Sequence, residues 1–413
     1  MADVAVLDIR MYGKKIGALT RLPDDTNIFA FNKDYIDNPD RPTLSLSFKD
    51  RHGGLITGNK PTRTRVSPFF ANLLPEGKMR EYLAERAGVN PKREFFLLWV
   101  LGRDLAGAME IHPADGESWP DGAADDVRDI KRKRRETALH FSLAGIQLKF
   151  SAIKAAAGGL TIPADGAGGS WIIKLPSVTH EGVPENEYVM MELARRIGID
   201  VPEVGLVPVE EIDGLPEGIQ VKGANAFVIK RFDRGADSGR IHIEDFAQIF
   251  SVYPDDKYKS ANYENIGNVI WTEIGEAGIT EFVRRLVFSA LIGNGDMHLK
   301  NWSLIYPDRR NAALAPAYDF LSTIPYIKGD RMGLNLAGSK EFASLTAAQF
   351  ERFAAKARLP TRIVLDTVAN TVQTFATVWD DTHDLPINET IKSTIDAHLR
   401  ELPIWKARKG RNT

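Results

Sequence analysis

The stretch Ile-Gly-Asn-Gly-Asp-Met-His-Leu-Lys-Asn at 292–301, with Tyr318-Asp319-Phe320 beyond it, restricts the fold of this chain more than any other feature. Asp296 is followed five positions later by Asn301, then by an apolar–turn–apolar stretch, then by Asp319. Phosphoryl transfer to a hydroxyl needs these groups in this order. One carboxylate takes the hydroxyl proton, while an amide and a second carboxylate hold the magnesium that neutralises the transferring group. Residues 302–306 read as a strand, 307–311 as a turn and 312–315 as the returning strand, so the hairpin carries Asp319 back beside Asp296. For Asp296 and Asn301 alone, the bland alternative is a polar Gly- and Asn-rich loop. The rest of the chain weighs against it.

A chain of 413 residues predicts two or three domains, and an apolar content of 43% is ample for a buried core. The absence of cysteine excludes disulfides, cysteine nucleophiles and thiolate zinc sites. It suits a cytoplasmic setting. The start, Met1-Ala2-Asp3-Val4, predicts no signal peptide, and no run of about 18 apolar residues predicts a membrane span. A net charge of −2 argues against the chain as a whole being an electrostatic binder of nucleic acid. Lys131-Arg132-Lys133-Arg134-Arg135 and the basic tail with Lys406, Arg408, Lys409 and Arg411 read as solvated surface able to touch phosphates.

Residues 1–112 read as a β-rich N-terminal subdomain. Alternation predicts strands at 3–10 and 43–48, and helices are predicted at 78–87, closed by Gly88, and 91–101. Residues 113–135 read as a linker. Residues 136–235 form a second β-rich lobe, with strands at 148–153, 171–175 and 226–232 and a helix at 185–197. Residues 236–413 read as a helical lobe, with helices at 244–253, 278–291, 346–357, 360–379 and 387–402. The fold class is α+β: a bilobal protein-kinase-like fold with a β-rich N-lobe, an extra N-terminal subdomain and an all-helical C-lobe.

Within the β-rich lobe, Ser142-Leu143-Ala144-Gly145-Ile146-Gln147-Leu148-Lys149 lies where a strand–loop–strand would cover phosphates, although one Gly in an ordinary hairpin would look the same. Lys174 ends the apolar run 171–173, as a phosphate-neutralising strand lysine does; a strand-edge lysine is the bland reading. Glu187, ahead of Glu192, is the chosen partner for Lys174 on the following helix. Lys230-Arg231-Phe232-Asp233-Arg234 ends a strand at the join of the lobes, where Val228, Ile229 or Phe232 would offer an adenine an apolar face; a buried strand end is the bland reading.

Together these segments resemble the HipA family, the serine/threonine kinase toxins of bacterial toxin–antitoxin pairs. The resemblance runs through Pro-Phe-Phe-Ala-Asn-Leu-Leu-Pro-Glu-Gly at 68–77, Gly-Arg-Asp-Leu-Ala-Gly-Ala at 102–108, the 142–149 loop and Trp-Ile-Ile-Lys-Leu-Pro at 171–176. It continues through 231–234, 244–248, 295–301 and 314–319. It implies transfer of the ATP γ-phosphate, with Mg2+, to a serine of a target protein of the aminoacyl-tRNA synthetase class. It also implies autophosphorylation at Ser142, a helix-turn-helix (HipB-like) antitoxin, operator DNA bound jointly with that antitoxin, and a role in persistence. The roles it implies are Asp296, His298 and Lys300 in catalysis, and Asn301 and Asp319 on the metal. Nucleotide contacts would come from Lys174, Ala144, Gly145, Gln147, Lys149, Lys230, Phe232, Gln248, His298, Asn301, Tyr318 and Asp319. Two positions depart from the pattern: Leu148 replaces a frequent acidic residue, and Lys230 stands where a Glu is found. A small-molecule kinase and a DNA-bound corepressor with little kinase activity are the alternatives.

Overall fold

The computed structural model describes residues 5–114, 149–154, 160–162, 168–215, 223–235 and 239–408. An antiparallel sheet opens the chain: β1 (Ala5–Met11), β2 (Lys14–Arg21), β3 (Thr26–Phe31), β4 (Thr62–Arg63) and β5 (Met109–Pro113), in the order β4-β3-β2-β1-β5. Leu7, Ile9 and Met11 of β1 are buried, as the two-residue period requires. Helix Glu94–Leu101 is apolar on nearly every face and packs into the same core. There Phe29 meets Phe70 edge-on at 4.9 Å, and Phe48 meets Phe69 at 5.4 Å.

The second sheet comprises β6 (Lys149–Lys154), β7 (Leu160–Thr161), β8 (Trp171–Lys174), β9 (Val204–Pro208), β10 (Ile212–Asp213) and β11 (Asn225–Lys230), ordered β10-β7-β6-β8-β11-β9. Its register sets Lys149 directly opposite Lys174. Helix Val183–Arg196 lies against β9 and β11 and stops at Gly198, whose φ of 84° suits only a residue without a Cβ.

The second lobe is built on helices Tyr263–Glu273, Glu276–Leu291, Ala347–Ala357, Thr361–Trp379 and Glu389–Glu401. It also holds a small sheet: β12 (His242–Asp245), β13 (Ser303–Tyr306) and β14 (Ala313–Leu314). The expected all-helical lobe therefore needs correction. The β13–β14 hairpin is the one anticipated at 302–315, and β12 adds to its free edge.

The other differences are local. The strand expected at 43–48 is a loop with a short 3-10 turn, Leu46–Phe48, because the Ser45 hydroxyl caps the Ser47 N–H at 3.0 Å and bends the chain. The helix expected at 244–253 is replaced by β12 and the short helix Phe246–Ile249, divided by an Asp245–Gln248 capping box. Helix Tyr263–Glu273 was not anticipated, since Gly267 and Asn268 lower its propensity. Gly267 is there for packing: a Cβ would come within 3.3 Å of Phe353.

Candidate active site

Lys174 ends β8 with its side chain buried, and its Nζ donates to both Glu187 Oε1 and Asp319 Oδ1. Lys149, on the neighbouring strand, brings its Nζ to 3.6 Å from Asp319 Oδ2. Glu192, the other candidate partner, pairs with Arg195. Burial works against the Lys174 charge, yet Asp319 and Glu187 hold its pKa above the usual lysine range. Burial would likewise raise the Asp319 carboxyl, but Lys149 and Lys174 outweigh it and hold that group well below the ordinary range. Glu187 moves upward, because burial exceeds the pull of Lys174 and the Asp319 charge adds to it. Asn186, one residue before Glu187, donates to Ser322 O at 2.9 Å and accepts from Ser322 N–H at 3.2 Å. That pair ties the glutamate's helix to the segment following Asp319.

Asp319 itself has a φ of 57°, a left-handed conformation that Asp tolerates better than most residues. Phe320 beside it is fully buried and meets Phe288 edge-on at 4.9 Å, which anchors the turn.

The loop at 293–301 leaves helix Glu276–Leu291 and is held by side chains bonded to its backbone. Asn294 Oδ1 accepts from Asp296 N–H at 2.9 Å, while Asn294 Nδ2 reaches Asp319 O at 3.4 Å. Asn301 Nδ2 donates to Asp296 O at 2.8 Å. That bond sets which end of the amide is the nitrogen, and the oxygen is the end suited to a cation. Gly295 donates to Thr323 Oγ1 at 2.7 Å, and a Cβ there would run into the Asp330 carboxylate. The Asp296 side chain is open to solvent within a crowded cleft. Desolvation raises its pKa, the Tyr258 hydrogen bond opposes this, and the Asp319 charge adds to it. Burial and the Lys257 charge push the His298 ring down to about 3, so it is neutral. His298 Nδ1 accepts from Lys300 N–H at 3.2 Å, which leaves the proton on Nε2.

Lys300 is engaged away from the cleft. The expectation that it shapes the loop and assists charge stabilisation meets a side chain whose Nζ is bound to Glu76 at 2.8 Å and donates to Asn72 O at 3.0 Å. Glu76 also pairs with Lys257 at 2.8 Å. The Pro-Glu-Gly turn of the N-terminal unit therefore clasps two loops of the helical lobe with one carboxylate. Burial would raise that carboxyl, but Lys300 and Lys257 hold it at about 2. A depressed carboxyl stabilises the fold fully above its ordinary value and loses that contribution as pH falls through the folded value. Glu76→Gln is expected to slow turnover about ten- to a hundred-fold by loosening the catalytic loop. Its stability deficit against wild type should be constant from neutral pH down to about 4.5 and shrink toward about 2. Steady-state kinetics and urea melts across pH read both effects.

At the join of the lobes, Phe232 and Tyr318 place their rings 5.7 Å apart, and the Tyr318 hydroxyl donates to Lys300 O at 2.8 Å. Lys230 does not turn inward: its side chain is exposed, with Nζ 3.4 Å from Glu203. Gln248 is also committed elsewhere. It closes the capping box and donates to Phe69 O at 3.1 Å, so both ends of its amide are engaged away from a nucleotide. Ser142, Ala144, Gly145, Gln147 and Leu148 lie outside the described residues, as does the 115–135 part of the linker.

The HipA-like C-terminal domain model matches residues 141–379, and the HipA N-terminal domain model matches residues 7–112. The chain belongs to the HipA family. Among similar proteins is Y4dM of Sinorhizobium fredii, provisionally named a kinase, which is 54% identical over 98% of this chain and 99% of its own length. The serine/threonine-protein kinase toxin HipA of Shewanella oneidensis is 24% identical over 88% of this chain and 86% of its own. The solved complex of Shewanella oneidensis HipA, HipB and operator DNA contains a chain with the same fold, at a TM-score of 0.73 and 21% identity over 97% of both chains.

One feature of this HipA-family chain escaped sequence reasoning. The Gly-Arg-Asp-Leu-Ala-Gly-Ala and Arg-Phe-Asp-Arg segments interlock. Arg231 grips Asp233 through Nε at 3.0 Å and Nη2 at 2.9 Å, and reaches Asp104 at 3.2 Å. Arg234 joins Asp104 and Asp233, each at 2.8 Å. All four side chains are less than a tenth exposed. Asp233 also accepts from Gly107 N–H at 2.8 Å. Gly107 has a φ of 72°, and a Cβ there would sit 2.8 Å from Ile243 N. The only sequence signal was an alternation of Arg and Asp in each segment, with nothing to pair them.

Proposed function

We propose that this chain is a serine/threonine protein kinase that moves the γ-phosphate of ATP to a serine of a protein. The observation that carries this reading is the junction at Lys174. A strand lysine, a helix glutamate and the aspartate beyond the β13–β14 hairpin meet at one ammonium, and the Asp296 loop is bonded to the same aspartate through Asn294. Lys174 and Lys149 are the cations for ATP phosphates. Asp296 orients the acceptor hydroxyl and takes its proton. The neutral His298 offers Nε2–H to developing charge. Phe232 and Tyr318 offer apolar surface to the base.

Asn301 and Asp319 suit Mg2+: the first has a carbonyl oxygen to give, the second a carboxylate kept ionised by two lysines. Among the described residues no cluster of three acidic or histidine side chains forms a cage. Magnesium in phosphoryl-transfer sites needs only one or two protein oxygens beside phosphates and water. When bound, it would neutralise charge on the phosphates.

Likeness to HipA supports three further assignments: a target of the aminoacyl-tRNA synthetase class, autophosphorylation at Ser142, and a helix-turn-helix antitoxin that carries the chain to operator DNA. With a net charge of −2 the chain alone has little attraction for DNA, which favours recruitment through the partner. Phosphate on Ser142 would add about two negative charges beside the nucleotide phosphates and weaken ATP binding. Incubation with ATP, Mg2+ and a bacterial lysate, read by phosphopeptide mass spectrometry, is expected to find phosphate on Ser142 and on a serine of a second protein. No incorporation anywhere would remove the kinase reading.

A further inference from the structure

Tyr258 has no place in the chemistry derived so far, yet its hydroxyl donates to Asp296 Oδ1, an atom of the proposed base. Both residues are exposed, Tyr258 at 36%. The ring stands edge-on to His298 at 4.9 Å, with Lys257 Nζ 5.6 Å from its centre. The backbone is steadied by Lys340 Nζ at 3.0 Å from Tyr258 O and by the Lys257–Glu76 pair. The tyrosine is thus aimed, although it lies on a turn between two helical segments rather than in a core.

The backbone that carries the Asp296 carboxylate is fixed. Its N–H is bonded to Asn294, its carbonyl accepts from Asn301, and the adjacent Gly295 packs on Asp330. An alcohol approaching Asp296 must donate its proton to a carboxylate oxygen, and the Tyr258 hydroxyl makes that same bond.

We infer that the Tyr258 hydroxyl occupies the position of the acceptor hydroxyl, and that a substrate serine must displace it from Asp296. This rests on the kinase reading above. Tyr258 is a specificity residue. It makes the base available only to acceptors whose docking moves the tyrosine aside, and it keeps water from the same oxygen.

Tyr258→Phe isolates the point, since it keeps the ring against His298 and removes only the competing donor. Two acceptors serve as probes in the presence of ATP and Mg2+: water, read as released inorganic phosphate, and dephosphorylated casein, read as protein-bound phosphate. A hydrogen bond to a charged group is worth enough to shift such a competition about ten-fold. The variant is expected to release phosphate to water about ten-fold faster. It should also show a KM for casein lowered by a similar factor, with kcat equal to or above wild type. Active wild type with a variant whose kcat falls and whose KM is unchanged would overturn the inference, because Tyr258 would then be orienting the base. Absence of hydrolysis and transfer in both proteins would instead overturn the kinase reading on which the inference stands.

Discussion

Asp296→Asn is expected to reduce phosphate transfer from ATP by about a thousand-fold or more while the fold persists. The amide keeps the shape of the side chain and an oxygen for the Tyr258 hydroxyl, so the cleft need not rearrange. What is lost is the charge that draws the acceptor proton. Asp319→Ala should be as severe by another route. It strips the metal site of its carboxylate and leaves Lys174 with Glu187 alone. It also places alanine at a φ of 57°, where aspartate is better tolerated. Labelled phosphate incorporation into a lysate measures activity, and circular dichroism reports the fold. Near-normal incorporation by both variants would refute the assignment of the site.

The largest effect on stability is expected at the interlock. Asp233→Ala leaves two buried guanidinium groups, Arg231 and Arg234, sharing Asp104 and a few carbonyls. Breaking a buried charge network from one side strands its partners, at about 3–5 kcal/mol. Burial raises the Asp233 carboxyl, but Arg231 and Arg234 outweigh that and hold it below its ordinary range, so the network is ionised at neutral pH. Urea unfolding should show a midpoint well below that of wild type, and limited proteolysis should release the N-terminal unit first. A shift equivalent to less than about 1 kcal/mol, the usual size for an exposed ion pair, would mean that the network is solvated.

The parts of the site legible in the sequence are those joined by short stretches of chain. Asp296, Asn301 and Asp319 are linked by one hairpin, so spacing alone predicts their convergence. The Lys174–Glu187 pair spans 13 positions across a strand and a helix, and was legible for the same reason. Glu76 and Lys257 are 181 positions apart, and Asp104 and Arg231 are 127 apart. No periodicity or turn rule links such residues. Nothing in the spacing therefore pointed from Lys300 to Glu76. Residues 244–248 read as continuous helix, whereas the Asp245 cap divides them and engages Gln248. The helical lobe's β-structure was visible at 302–315 but not at His242–Asp245, which becomes a strand only because β13 lies alongside.

The clasp at Glu76 also bears on how the protein is made. The N-terminal sheet and the Pro-Glu-Gly turn emerge from the ribosome long before Lys257 and Lys300 do, and Asp319 follows later still. Contacts of such sequence separation form late, because the intervening chain must first be synthesised and closed into a loop. The catalytic loop therefore reaches its supported geometry only when most of the chain has been translated. The site and its support from the N-terminal unit are thus completed together, after Lys257, Lys300 and Asp319 have all been made.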